Sequence, residues 1–263
     1  MDVTVNGLRL MVREHGKAGG QTLLLVHGFP LDSRMWCEQL TGLAGRARVI
    51  APDLRGHGLS DTPQEPYSME QHADDLAALL DHLGVKKAIV AGLSMGGYVT
   101  LAFWRRHPER VAGLALVDTR AEPDTPAGKA SRDVTAGRVR EAGPRVLVDE
   151  MMPKLLAPQN LADERITAPL REMILSQPIA GLTGALRALR DRVDSTPTLP
   201  TITVPTAVIV GEADAITPPA DATGMATQIP GAHLVVIPQA GHLSPMENPR
   251  AVNEALERLI ERA

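Results

Sequence analysis

Aromatic side chains are nearly absent from this chain: Phe, Trp and Tyr together make up 2% of its 263 residues. That excludes a wide aromatic cage for a ligand. Cysteine occurs once, at Cys37, so no intrachain disulfide can form and a cytoplasmic setting is expected. Cys37 lies on a predicted helix, where a small core residue without chemistry is expected. No apolar run approaches the roughly 18 residues a membrane span needs. The segment Met1-Asp2-Val3-Thr4-Val5 lacks the basic-then-apolar pattern of a secretory signal, so none is expected, and with no spanning run no membrane partner is expected either. The net charge is −4 and no basic block occurs, which argues against nucleic acid. There is no H-E-x-x-H, no Cys/His cluster, no G-x-x-x-x-G-K-[ST] and no G-x-G-x-x-G. Metal, nucleotide and dinucleotide chemistry therefore have no carrier, and no cofactor is expected. Internal repeats and low-complexity tracts are also missing.

What is present is apolar, at 44% of residues, enough for one domain with a sizeable core and an inserted subdomain. Asn6-Gly7 between the alternating runs Asp2 to Val5 and Leu8 to Glu14 predicts a hairpin. Strand-like runs follow at Thr22 to Val26, Val49 to Ala51, Ile89 to Leu93, Val111 to Val117, Thr206 to Val210 and His233 to Ile237. Helical patterns lie between them at Arg34 to Leu43, Met69 to Leu83 and Tyr98 to Arg106, and the run Ala251 to Ile260 closes the chain. Several strands are continuously apolar, as strands of a parallel sheet covered on both faces are. The alternation predicts an α/β fold with helices on both sides of a mostly parallel sheet.

The alternation stops between about Thr119 and Pro205. Helices are expected there at Ala130–Glu141, Arg145–Leu156, Leu161–Ser176 and Ile179–Arg192, with Pro144, Pro153, Pro158, Pro169 and Pro178 as punctuation. A structureless loop of that length does not fit a compact domain. The expected division is a core of residues 1–119 and 204–263 with a helical cap subdomain at 120–203.

The run Ala88 to Gly97 carries the chemistry: an apolar strand, then Gly92-Leu93-Ser94-Met95-Gly96, then a helix. G-x-S-x-G in that context is a nucleophile elbow, with Ser94 Oγ pushed out at the carboxyl end of the sheet. A serine hydroxyl needs a base, and the base an orienting acid. His242 follows the last strand in Gln239-Ala240-Gly241-His242-Leu243, at the same edge as Ser94. His27 is expected to brace its own loop, and His57 to brace its loop or face solvent. Asp214 and Asp118 both follow strands and both fit the order Ser, Asp, His. Asp214 is preferred because only one helix and one strand separate it from His242, and Glu212 is a third candidate. For the oxyanion, Met95 N–H and Phe29 N–H in His27-Gly28-Phe29-Pro30 are the expected donors, since Pro30 has none.

With Asp53-Leu54-Arg55-Gly56-His57-Gly58-Leu59-Ser60 and Gly211-Glu212-Ala213-Asp214, these motifs make the chain resemble the α/β-hydrolase fold enzymes over nearly its full length. The resemblance implies an eight-stranded sheet, Ser94 as nucleophile, Asp214 as acid, His242 as base, Phe29 and Met95 as oxyanion hole, and a lid-like cap. It is nearest to the 3-oxoadipate enol-lactonases and small carboxylesterases. Haloalkane dehalogenases of the same fold place an aspartate at the elbow, and Ser94 argues against their reaction. The expected activity is hydrolysis of carboxylic esters. The alternatives are enol-lactone hydrolysis and a non-hydrolytic small-molecule receptor. The expected partner is a small ester or lactone, with the chain a monomer or homodimer. Met151, Met152 and Leu155 are expected in the substrate pocket. Met95, Leu156, Met173 and Ile174 are further candidates, and ordinary packing is the competing reading for all of them.

Overall fold

Asn6 and Gly7 both take positive φ, 51° and 73°, and turn strand β1 (Asp2–Val5) back onto β2 (Leu8–His15). Two left-handed residues in a row match the twist of a two-residue hairpin, which is why Asn-Gly marks it. The computed structural model describes residues 1–17, 19–64 and 66–263. The strands β3 (Thr22–Val26), β4 (Arg48–Pro52), β5 (Ala88–Leu93), β6 (Val111–Val117), β7 (Thr206–Gly211) and β8 (His233–Ile237) complete the sheet. Its order is β1-β2-β4-β3-β5-β6-β7-β8. The pairs β1–β2 and β2–β4 are antiparallel, and every later pair is parallel. This is the expected mostly parallel eight-stranded sheet.

β3, β5 and β7 are buried along their whole length, as continuous apolar runs require. β8 departs from that reading. It is the last strand of the sheet, and Leu234 and Val236 are 39% and 46% exposed. Helices α1 (Cys37–Gly42), α2 (Met69–His82), α3 (Met95–Arg106), α8 (Pro219–Gln228) and α10 (Pro249–Ile260) pack against the strands. Ser68 caps α2 by accepting from Gln71 N at 3.1 Å, and the helix buries Ala73, Leu76, Ala77 and Leu80 as its periodicity predicts. The predicted helix Arg34 to Leu43 begins instead as a tight turn, Ser33–Trp36, because Asp32 accepts from Arg34 N and starts the winding there. Cys37 opens α1 and is exposed, which corrects its expected place in the core.

Helices fill the stretch between β6 and β7: α4 (Pro126–Ala142), α5 (Arg145–Leu155), α6 (Glu164–Leu175) and α7 (Ile179–Asp191). α4 packs against α7, and α5 against α6. Pro153 and Pro169 lie inside α5 and α6 rather than between helices. Each removes one helical hydrogen bond. Burial of Leu155 in the one, and of Leu170, Met173 and Ile174 in the other, offsets that loss. Among the described residues no helix is long and apolar enough to cross a membrane.

Candidate active site

Ser94 sits between β5 and α3 at φ 53° and ψ −111°, backbone angles that a residue with a side chain rarely adopts. The glycines around it make the turn possible by close approach. A Cβ on Gly92 would lie 2.1 Å from Gly96 O, and one on Gly96 would lie 2.2 Å from Val26 O. The β6 end pins the turn from the other side. Ser94 N donates to Val117 O at 2.9 Å, and Thr119 Oγ1 donates to Ser94 O at 2.8 Å. The strained serine is therefore held by its backbone, and its half-buried side chain takes no part in the holding.

The loop after β3 passes directly beside it. A Cβ on Gly28 would lie 2.8 Å from Leu93 Cδ2 and 3.3 Å from Ser94 Cβ, so any side chain there would press on the elbow. Phe29 follows next. Met95 N–H belongs to the first turn of α3, where helical N–H groups have no intrahelical acceptor and the helix dipole favours negative charge. His27 braces its loop as expected: its ring contacts Gly28 O at 3.0 Å through Nδ1 and accepts from Leu54 N at 3.0 Å through Nε2. His57 is fully buried against it, with ring centroids 5.0 Å apart.

His242 and Asp214 come together at the ends of β8 and β7. Asp214 Oδ2 lies 2.8 Å from His242 Nδ1, and the two residues are 4% and 2% exposed. Asp214 Oδ1 accepts from Ile216 N at 2.8 Å and Thr217 N at 2.9 Å, and Oδ2 from Thr217 Oγ1 at 2.7 Å. Burial pushes this carboxyl up, but the bond and charge of His242 and the donations from Thr217 outweigh it. Its pKa is held below the usual carboxylate range. Facing an ionised acid, Nδ1 is a ring nitrogen that carries a proton.

Asp118 is placed differently. It is fully buried at the end of β6 with φ 44°. Its Oδ1 accepts from Gly211 N at 2.7 Å, and its Oδ2 accepts from Ser244 Oγ. Burial first, and then the charge of Asp214, raise its pKa well above the ordinary value. Asp118 thus ties the ends of β6 and β7 to the chain just past His242, and no bond joins it to the imidazole. Glu212 is exposed and accepts from Gln239 N at 3.3 Å. Of the three candidate acids, only Asp214 meets His242.

The expected pocket residues are scattered. Leu155 is fully buried, Met152 is 7% exposed and Met151 is half-buried. A groove of about 460 Å³ is lined by Arg13, Met35, Cys37, Ile166, Met173 and Met246 among others. Met151, Met152 and Leu155 do not line it.

The strained serine, the histidine–aspartate pair and the sheet order coincide with a match of residues 21–249 to the alpha/beta hydrolase fold family. The chain belongs to the α/β-hydrolase fold family. It is similar to a thermophilic esterase from Thermogutta terrifontis, solved with malate bound, at 43% identity and a TM-score of 0.95. That match covers 99% of this chain and 97% of the esterase. The enol-lactonase from Burkholderia xenovorans is 30% identical with a TM-score of 0.93, over 99% of this chain and all of the other. The 3-oxoadipate enol-lactonase 2 of Acinetobacter baylyi is 30% identical over 99% of this chain and 96% of its own length. The chain spans 66% of the length of another relative, the dihydrolipoyllysine-residue acetyltransferase component of the acetoin cleaving system of Pseudomonas putida, with 34% identity over 96% of this chain.

In this α/β-hydrolase, sequence reasoning overlooked Thr119, Thr217, Ser244 and Glu247, all of which hold candidate site loops through side-chain bonds. Thr217 alone had a local signal, three residues past a strand-end aspartate. Among the described residues no group of three or more His, Cys, Asp or Glu is gathered to hold a metal.

Proposed function

We propose that this α/β-hydrolase is a serine carboxylesterase that works through an acyl-enzyme on Ser94, with His242 as base and Asp214 as its orienting acid. The observation that carries the reading is the buried 2.8 Å contact between His242 Nδ1 and Asp214, formed at the sheet edge where Ser94 occupies its strained turn. His242 Nε2 takes the proton of Ser94 Oγ as the oxygen attacks the ester carbonyl. Phe29 N–H and Met95 N–H receive the oxyanion of the tetrahedral intermediate. Collapse breaks the bond to the alcohol oxygen, which leaves with the proton from His242. Water then gives its proton to the same nitrogen and attacks the acyl carbon. The second collapse returns the proton to Ser94 Oγ and frees the acid.

The helices of residues 120–203 act as the cap in this reading, and the groove between α6 and the turn at Met35 receives one arm of the ester. Its mixture of methionines and arginines suits a short apolar chain with a polar end. The single free thiol is compatible with a cytoplasmic enzyme. The esterase likeness at 43% identity supports an open-chain ester as substrate. A second reading, enol-lactone hydrolysis by the same groups, draws support from the two enol-lactonase relatives at 30% identity.

Steady-state turnover of p-nitrophenyl butyrate and of an enol-lactone by wild type and Ser94→Ala tests the proposal. Wild type should cleave the ester with the higher kcat/KM, and Ser94→Ala should be inactive and refuse a fluorophosphonate label. A preference for the lactone would move the assignment to the second reading. Turnover or labelling that persists in Ser94→Ala would remove Ser94 from the mechanism.

A further inference from the structure

The end of α5 and Glu247 together bond the loop of His242 on both sides of the histidine. Just before it, Gly241 N donates to Glu247 Oε1 at 2.8 Å. Just after it, Leu243 N donates to Leu155 O at 3.1 Å. Glu247 lies in a single helical turn, α9 (Ser244–Glu247). Its other oxygen, Oε2, accepts from Ala157 N and from Asn160 Nδ2, each at 2.7 Å. Asn160 Nδ2 also reaches Gln239 O at 3.0 Å. The backbones are in direct contact here: a Cβ on Gly241 would lie 2.5 Å from Ala157 N and 2.7 Å from Leu156 C. One half-buried carboxylate thus receives three N–H groups, one from the histidine loop and two from the helical insertion.

We propose that Glu247 is a positioning residue that latches the inserted segment 155–160 to the His242 loop, so that the insertion sets the place of the catalytic base as well as the shape of the pocket. The proposal rests on the reading of His242 as the base. Asp214 holds the imidazole by Nδ1, but that contact does not set where the main chain carries the ring. The main-chain bonds at Gly241 and Leu243 fix where the ring is anchored. Both are made to groups that the insertion carries or shares. A shift of the insertion at Ala157 is therefore a shift of Nε2 relative to Ser94.

The test compares Glu247→Ala, Glu247→Gln and Asn160→Ala with wild type in the full chain. The readouts are kcat and KM on p-nitrophenyl butyrate, the rate of fluorophosphonate labelling of Ser94, and Tm. Glu247→Ala should lower kcat about ten- to a hundredfold with KM within about twofold, the size of loss that misplacing a group from outside the reacting atoms brings. Labelling should slow in parallel, because it needs the same base. Glu247→Gln keeps an oxygen for one side of the latch only, so it should recover part of the loss. Asn160→Ala, which leaves the Gly241 bond intact, should show a smaller drop in kcat. A merely structural Glu247 would lower Tm while kcat per labelled site stayed at the wild-type value, and that result overturns the proposal. So does a rise in KM alone. If Glu247→Ala does not fold, Asn160→Ala decides: unchanged kcat overturns the latch. Ser94→Ala separates the two readings. Turnover that survives in it removes the triad and the latch together, whereas an inactive Ser94→Ala beside a fully active Glu247→Ala removes the latch alone.

Discussion

Asp118 and Asp214 end adjacent strands of one sheet, both are buried, and only Asp214 bonds to His242. The other carboxyl spends its oxygens on Gly211 N and on Ser244, one on each flank of the pair. Burial affects both acids alike, and their partners set them apart. The imidazole and Thr217 keep Asp214 ionised, whereas Asp118 has neutral donors and a negative neighbour, and its pKa rises.

The two aspartates should therefore respond differently to the same substitution. Asp214→Asn replaces the charge that steadies the imidazolium and can reverse the tautomer, so kcat should fall by up to about ten-thousandfold. Asp118→Asn keeps an oxygen for Gly211 N–H and offers an amide to Ser244 Oγ, so kcat should change little. Steady-state kinetics of both variants checks this, and the reverse ranking would make Asp118 the acid.

Gly97 and Thr119 are matched in the same way. A Cβ on Gly97 would lie 2.4 Å from Thr119 Oγ1, the hydroxyl that holds Ser94 O. Gly97→Ala should lower both Tm and kcat. Adding Thr119→Gly, which also removes the Cβ that would lie 2.6 Å away, should restore much of the Tm by clearing the clash, without restoring kcat, because the bond to Ser94 O is gone. Thermal melts and turnover of the single and double variants are the check. A double variant no more stable than Gly97→Ala would show that the contact is not the cause.

The groove should discriminate acyl length, and the three expected pocket residues should not. Met173→Trp or Ile166→Trp should cut kcat/KM most for the longer members of a p-nitrophenyl ester series, at about 1–3 kcal/mol per excluded methylene. A bulky maleimide on Cys37, which is exposed and lines the groove, should act in the same direction. Alanine at Met152 or Leu155 should lower Tm more than it alters the chain-length profile, since those side chains are packed. A profile that follows Met152 and not Met173 would place the acyl chain elsewhere.

Acid should unfold this protein through its buried histidines. His72 is fully buried, and neither of its ring nitrogens has a hydrogen-bond partner among the described residues. Around it lie Tyr67, with ring centroids 6.3 Å apart, His57 and the Arg55–Asp75 ion pair. Burial, with the positive groups nearby, holds His72 well below its ordinary pKa and lowers His57 to about 3. Below about pH 6.5 the unfolded chain binds protons that the folded one refuses, so stability falls as pH drops from there toward the folded values. Each such histidine steepens the fall by about 1.4 kcal/mol per pH unit. His72→Leu removes one of them. Its Tm should match or exceed wild type at about pH 7 and decline less steeply toward about pH 4. An equally steep decline would clear His72.

The strands and the order of the site residues were legible in the sequence because their causes are local. Thr22 to Val26, Val111 to Val117 and His233 to Ile237 are apolar runs bounded by polar or turn residues, and the structure places strands at those residues. Asn6-Gly7 specifies its turn by backbone preference alone. Gly92, Ser94 and Gly96 show the elbow because a strained strand-to-helix turn admits few other residues. Sequence by itself thus determined the α/β alternation, the long helical insertion and the strand-end positions of Ser94, Asp214 and His242.

Tertiary structure decided which of those strand ends meet. Asp118 and Ser244 are 126 residues apart, and Ala157 and Glu247 are 90 apart. Periodicity carries no information about such pairs, because each depends on how neighbouring strands stagger and where the insertion lands. Cys37 came out exposed although its helix is packed, because helical phase fixes which residues share a face and not which face meets the core. The same limit separated Met173, which lines the groove, from Met151 and Met152, which do not. A chain encodes its elements through neighbours in sequence, and it assembles a site through neighbours in space, where hydrogen bonds and steric fit select one contact among several that the sequence permits.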